Sequence, residues 1–258
     1  MYKKDFKRRL DKVFYPLAFF IAIIFFWLFF VNILHTPEYI LPSPLQILND
    51  LFSNFSIYLN HTSITFFEAI MGYLLANIIG FAIAVVFTYS KSFEKGLYPY
   101  AIALKTTPII AIAPILIIWF GTGMLSKIIT AAIICFFPIL VNSVKGLSSI
   151  DESHLDLFKS FSANKFQIFT KLRLPNALPF IFSALKISAG LAVVGAIVGE
   201  FVGAKAGLGF LILTSSYYLD TTKMFTAVIL SAILGMIIFY SVSFLEKRIV
   251  FWQKRRMH

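Results

Sequence analysis

Six stretches of the chain are apolar on every face and long enough to cross a hydrocarbon layer as helices. They run over about Phe14 to Leu34, Ile64 to Thr88, Tyr98 to Phe120, Lys127 to Val144, Phe180 to Val202 and Thr226 to Leu245. A helix rises about 1.5 Å per residue, so roughly twenty apolar residues cover the hydrocarbon of a bilayer. A transmembrane barrel would show shorter segments of alternating polarity instead, and that pattern is absent. The pattern predicts an all-α integral membrane protein with about six transmembrane helices. Between the fourth and fifth stretches the periodicity changes. Leu155, Phe158 and Phe161 recur every three residues, and Phe166, Phe169 and Leu172 do the same after Ser162, Ala163 and Asn164. This predicts two short amphipathic helices joined by a corner. Glycine serves such corners best. With Ser162 in that place, either the corner is less tight or Asn164 takes the left-handed conformation.

Composition agrees with the membrane reading. Of the 258 residues, 59% are hydrophobic and 14% charged, and the mean hydropathy is +0.84. The net charge of +11 is explained by where the cations fall rather than by a nucleic-acid partner. With the N-terminus inside, Lys and Arg cluster in the first twelve residues, in the second and fourth connections and in the tail. Only Lys127, Lys205 and Lys223 fall outside, which is the bias expected of cytoplasmic segments. Both termini are therefore expected in the cytoplasm. Residues 1–12 are expected to form a basic cytoplasmic N-terminal segment, 13–245 a single transmembrane domain in contact with membrane lipid, and 246–258 a basic cytoplasmic tail. The first apolar stretch is too long for a signal peptide and has no small-residue cleavage site, so it is read as a retained helix. Lys105 and Lys186 are read as anchors that snorkel from the cytoplasmic ends of their spans.

The candidate chemistry is sparse. Cys135 lies within a span and reads as a small core residue. The four histidines have no ligand spacing, so no metal is expected. No G-x-x-x-x-G-K-[ST] phosphate loop occurs, and no nucleophile, base or paired carboxylates suggest catalysis. The chain is read as a non-enzyme with no cofactor of its own. Glu68 and Glu200 are the notable ionisable residues in spans. They fall near the outer ends of their helices, where water is close, and are candidates for a pathway or gating role.

The amphipathic connection, 151–175, carries the most specific signal. Asp156, Leu157, Phe158, Ser162, Leu172, Leu174 and Pro175 reproduce every gap of the Glu-Ala-Ala, three residues, Gly, nine residues, Ile-x-Leu-Pro pattern. That pattern marks the permeases of ATP-binding-cassette importers, which this chain resembles. Further matches are Leu41-Pro42-Ser43-Pro44, Gly72, Pro108, Ala111, Trp119-Phe120-Gly121-Thr122-Gly123, Ser126-Lys127, Phe137-Pro138, Glu200 and Gly207-Leu208-Gly209. Together these resemble the branch serving nitrate, sulfonate, taurine and thiamine-precursor uptake. Glu68 is a departure, standing where the family has Arg.

The resemblance implies a type I, MetI-like importer permease fold. It makes the helix before the corner a coupling helix, with Leu157 and Phe158 filling a cleft on an ATPase subunit and Asp156 meeting a basic residue there. It also implies two ATPase subunits that bind ATP and magnesium, a second permease copy forming a homodimer, and an extracytoplasmic solute-binding protein. Pro108, Pro114 and Pro138 are read as kinks that bend the third and fourth spans around a translocation path. The rival reading is an ion-coupled secondary transporter. It predicts ionisable residues at mid-membrane and inverted repeats, and no repeat is found.

Overall fold

The computed structural model describes residues 2–33 and 35–252, with side chains from 14 onward. The basic side chains of residues 1–12 and the tail beyond Trp252 lie outside the described residues. The described residues are helical with no strand. Five helices are long and apolar enough to span a membrane, and a bent pair supplies a sixth.

Packing divides the chain into two units. The first comprises residues 1–59 and 211–229. It holds α1 (Tyr2–Ile33), α2 (Pro44–Ser53) and the adjoining ends of α3 (Phe55–Tyr89), α10 (Leu208–Tyr217) and α11 (Thr221–Ile249). The Leu41 to Pro44 segment starts α2. Ser43 Oγ accepts from the Gln46 N–H at 3.3 Å, the Gln46 side chain accepts from the Ser43 N–H at 2.7 Å, and Pro44 fills the first helical position. Such a reciprocal cap satisfies N–H groups that the helix itself cannot. Trp27 Nε1–H donates to the Pro42 carbonyl at 3.0 Å, which ties α1 to this turn. Asp50 accepts from Asn54 Nδ2 at 2.8 Å, from Thr226 Oγ1 at 3.0 Å and from the Tyr58 hydroxyl. The connection between α1 and α3 contains the ten-residue α2, anchored by this acid.

The second unit comprises residues 60–210 and 230–258. It contains most of α3, then α4 (Lys91–Thr106), α5 (Ile109–Phe120), α6 (Met124–Ser148), α7 (Glu152–Ser160), α8 (Lys165–Ile168), a π-turn over Phe169–Arg173, and α9 (Leu174–Phe201). Its centre is built from small residues. A Cβ on Gly72 of α3 would lie 2.5 Å from the Ala131 Cβ, and one on Gly195 of α9 would lie 2.5 Å from the Ala131 Cα. α3 and α9 therefore both pack against α6 at backbone distance, the arrangement small residues permit inside membranes. Cys135 is fully buried there, as expected. Its Sγ–H donates to the Ser188 carbonyl at 3.3 Å, and Ser188 Oγ–H donates back to the Cys135 carbonyl at 3.2 Å.

The third span departs from the sequence reading. It is not one kinked helix but two, α4 and α5, bent by 101° across Thr107 and Pro108. Pro108 excludes the α conformation at the preceding residue, and Thr107 accordingly sits at φ −71°, ψ 125°. Pro114 and Pro138 lie inside continuous helices.

Candidate functional site

Three sites in the second unit carry the candidate residues. The first is the connection 151–175. α7 is exposed and short. Leu157 is exposed on it, and Phe161 and Phe166 are 78% and 73% exposed at the corner. Phe158 is half-buried, and with Leu157, Phe161, Ala163, Gln167 and Lys171 it lines a cleft of about 360 Å³. Asp156 pairs with Lys159 one turn on at 2.9 Å, both well exposed.

The corner is tight, and Ser162 makes it. Its φ of 55° is left-handed, while Asn164 has φ −75° and caps α8, accepting from the Gln167 N–H at 2.8 Å and donating its own N–H to the Gln167 side chain at 2.9 Å. Neither alternative holds: the corner is closed by the Ala163 N–H donating to the Phe158 carbonyl at 3.0 Å, and Asn164 is not left-handed. Its side chain is committed to the cap.

Leu172 lies in the π-turn, and Leu174 and Pro175 open α9, so the end of the pattern is the root of a spanning helix. Arg173 donates to the Leu147 carbonyl at 2.7 Å and lies over the Tyr89 ring, while Asn176 donates to Ser149. These bonds fasten the connection to the ends of α3, α6 and α9.

The second site lies at the opposite ends of α6 and α9. Glu68, Lys127 and Glu200 were placed near water. They are 3%, 1% and 1% exposed. The reason is the segment after α9, whose backbone closes over Glu200. Glu200 accepts from Thr65 Oγ1 at 2.7 Å and from the backbone N–H groups of Gly209 and Phe210. The Leu208 N–H donates to Thr65 Oγ1 at 2.8 Å, and the Gly207 N–H to His61 Nδ1 at 2.9 Å, with the His61 ring stacked on Phe210. Gly207 has φ 113°, and a Cβ there would lie 2.3 Å from the Glu200 carboxyl carbon. Only glycine meets both demands.

Glu68 lies within side-chain hydrogen-bonding reach of Glu200, so the two carboxyl groups face each other in this enclosure. Its Oε2 has no hydrogen-bond partner among the described residues. Lys127 donates to the Gly123 carbonyl at 3.1 Å and to that of Thr122. Sequence reasoning singled out Glu68, Glu200 and Gly207-Leu208-Gly209 separately, and missed His61, Thr65 and Lys127 as their neighbours. The spacing of Thr65 and Glu68, one turn apart on a helix, was the available signal.

The third site is the break in the third span. Pro108 and Pro138, both expected on a path, line one cleft of about 330 Å³ together with Lys105, Phe137 and Leu191. Pro114 and Glu200 are not part of it. The two lysines read as snorkelling anchors both have contacts within the protein. Lys186 forms an ion pair with Glu246 at 2.8 Å, and Lys105 Nζ sits 4.5 Å over the Phe137 ring.

Comparison with known proteins places this architecture. Residues 76–251 match the family model described as the binding-protein-dependent transport system inner membrane component. The formylaminopyrimidine transport permease protein of Halalkalibacterium halodurans is 32% identical over 93% of this chain and 96% of that protein. The taurine transport system permease protein of Escherichia coli is 24% identical, covering 82% of this chain and 80% of that one. Among solved structures, a chain of the MetNI methionine transporter in an inward-facing conformation superposes with a TM-score of 0.68 at 19% identity, over 76% of this chain and 97% of that one.

Proposed function

The chain belongs to the binding-protein-dependent transport system inner membrane component family, and from that premise we infer how its parts serve import. It is a multi-pass permease subunit of an ATP-binding-cassette importer of the inner membrane, not an enzyme, and it works with an ATPase and a solute-binding protein. On our reading two copies of this chain pair as a homodimer over two ATPase subunits. The ATPases bind ATP and magnesium, and the binding protein delivers a small solute of the sulfonate, taurine, nitrate or thiamine-precursor kind from outside. Both termini and the 151–175 connection face the cytoplasm in this scheme, in keeping with the distribution of Lys and Arg.

The observation that carries the coupling role is the exposed apolar edge of α7 and its corner. A solvated connection with Leu157, Phe161 and Phe166 outward has a face to bury against a partner. Movement imposed on it passes into the spanning helices, because Leu172, Leu174 and Pro175 run directly into α9 and Arg173 holds the end of α6. Asp156 meets a basic residue of the ATPase by exchanging its exposed partner Lys159, at little cost. Pro108 and Pro138 border the path at the break, and Pro114 sets the run of α5 beyond it. Glu200 acts in gating through the Gly207 to Gly209 turn that it holds.

Recovery of the cognate ATPase with affinity-purified permease from detergent extract tests this. Leu157→Asp and Phe158→Asp are expected to lower the ATPase recovered per permease by about tenfold or more, as losses at the centre of an interface do. Because Leu157 is exposed, its variant leaves the fold intact. Undiminished recovery with both variants would remove the docking role. No ATPase with the wild-type chain, even after crosslinking, would favour the ion-coupled transporter instead.

A further inference from the structure

The cleft at the break between α4 and α5 contains a cation that its surroundings do not explain. Lys105 has no carboxylate partner among the described residues, in contrast to Lys186 with Glu246. Its ammonium lies over the ring of Phe137, the fourteenth residue of the 25-residue α6. At about 1.5 Å per residue, Phe137 stands roughly 20 Å from one end of that helix and 16 Å from the other. Leu191, on the same cleft, is likewise well inside α9. Lys105 is thus at mid-depth in this unit and exposed at its surface, where a snorkelling anchor has no interface to reach. A charged group at such a depth faces either another protein group or a water-filled path, because hydrocarbon does not solvate it.

The remaining lining has the character of a small-solute site. It is mostly apolar, from Ile109, Ile133, Phe137 and Leu191, with the lysine and the hydroxyls of Thr106 and Thr107 as its polar groups. Its volume of about 330 Å³ falls at the small end of the range for ligand pockets. Two other clefts among the spanning helices differ. One, lined by Leu75, Ile79 and Phe136 among others, has no polar side chain. The other, at Gly190 and Met236, has only Ser231. The discontinuity of the third span falls at the same place, and broken helices at mid-depth are where transporters expose backbone to solute.

We propose that the Lys105 cleft is a contact point for solute on the translocation path and that Lys105 meets an oxyanion group of that solute, such as a sulfonate or carboxylate. This rests on the importer reading and narrows it: the chain carries an anionic or zwitterionic small molecule in preference to an uncharged one. The Phe137 ring holds the ammonium in the absence of solute by a cation–π contact. It yields to an oxyanion, which binds an ammonium more strongly.

The test uses the assembled complex of permease, ATPase and binding protein and does not require the solute to be known. Thr107→Cys places a thiol in the cleft, and the natural Cys135 is fully buried. The rates of modification by an anionic sulfonatoethyl methanethiosulfonate and by its cationic trimethylammonium counterpart are compared in three backgrounds: Lys105, Lys105→Arg and Lys105→Met. The anionic-to-cationic rate ratio is expected to fall about tenfold in Lys105→Met and to persist in Lys105→Arg, the size of effect that a local field has on the concentration of a charged reagent. Trapping the complex with ATP and orthovanadate is expected to change the rates at Thr107→Cys, since a path opens and closes with the nucleotide cycle. An equal ratio in all three backgrounds overturns the oxyanion contact. Failure of both reagents to react, or rates indifferent to trapping, overturns the placement on the path. ATPase recovered from the same preparation reports separately on the importer reading, so the two fail distinguishably.

Discussion

At the scale of single residues, the most constrained position is Gly207. Its backbone is in a region closed to side chains, and the Glu200 carboxyl occupies the place of a Cβ. Gly207→Ala is expected to destabilise the protein by about 2–4 kcal/mol, as backbone strain and displacement of a buried acid together do. Gly96→Ala, with open space around it, is expected to leave stability level or slightly raised. Melting temperatures of the two variants in detergent check this, and equal values would mean that the Gly207 turn gives way freely. The sequence marks Gly207 and Gly209 as a turn and Glu200 as a charge near a helix end. That the turn folds back to donate its N–H groups to that acid is a contact across several residues of irregular backbone, which no periodicity encodes.

At the scale of elements, the corner between α7 and α8 separates two local devices of opposite sign. Ser162 takes a left-handed conformation that costs a non-glycine residue about 1–2 kcal/mol, while Asn164 contributes a cap that is lost on truncation at about 1 kcal/mol. Ser162→Gly is therefore expected to raise thermal stability and Asn164→Ala to lower it, each by about 1 kcal/mol, in scans of the purified protein. A rise with Asn164→Ala would show that the capping box contributes nothing. The first amphipathic helix, α7, was legible from the spacing of Leu and Phe; the second, expected as a short helix through Phe166, Phe169 and Leu172, is instead the start of one continuous helical run from Lys165 through the π-turn to Phe201. The division of labour at the corner was not legible, because Ser and Asn both tolerate either role and the choice depends on whether Gln167 closes the capping box. The break in the third span was legible only as a kink. Pro108 forbids helix at Thr107, but the size of the bend depends on what α4 and α5 each pack against.

At the scale of the molecule, the second unit coheres through close backbone contact of α3, α6 and α9 at Gly72, Ala131 and Gly195. Lipid tails are as apolar as leucine, so bulk hydrophobicity does not choose which helices associate, and close packing does. Gly195→Ala places its Cβ against the Ala131 backbone and is expected to lower stability by about 2–3 kcal/mol, with broadened gel-filtration profiles. Gly190→Ala on the same helix meets nothing and is expected to behave as wild type. Matching behaviour of the two variants would show that α9 shifts on α6 without loss. The stripe of Ser188, Ala192, Gly195, Ala196 and Gly199 along α9 carried this signal in the sequence, although the partner helix could not be read from it.

The sequence by itself determined the class, the approximate spans and the presence of a polar, amphipathic connection between two of them, since hydropathy, charge and the spacing of the 156–175 pattern are properties of the chain taken in order. It also contained the solute ambiguity, because relatives with different named cargoes share this framework. Only the tertiary structure decided that Glu68, Lys127 and Glu200 are enclosed rather than wet, that Lys105 lies over Phe137 beside the middle of α6, and that Lys186 is paired with Glu246. Position along a helix gives depth only when the helix is unbroken and upright. Burial depends on what other segments fold over it, and both conditions are set by contacts between residues far apart in the chain.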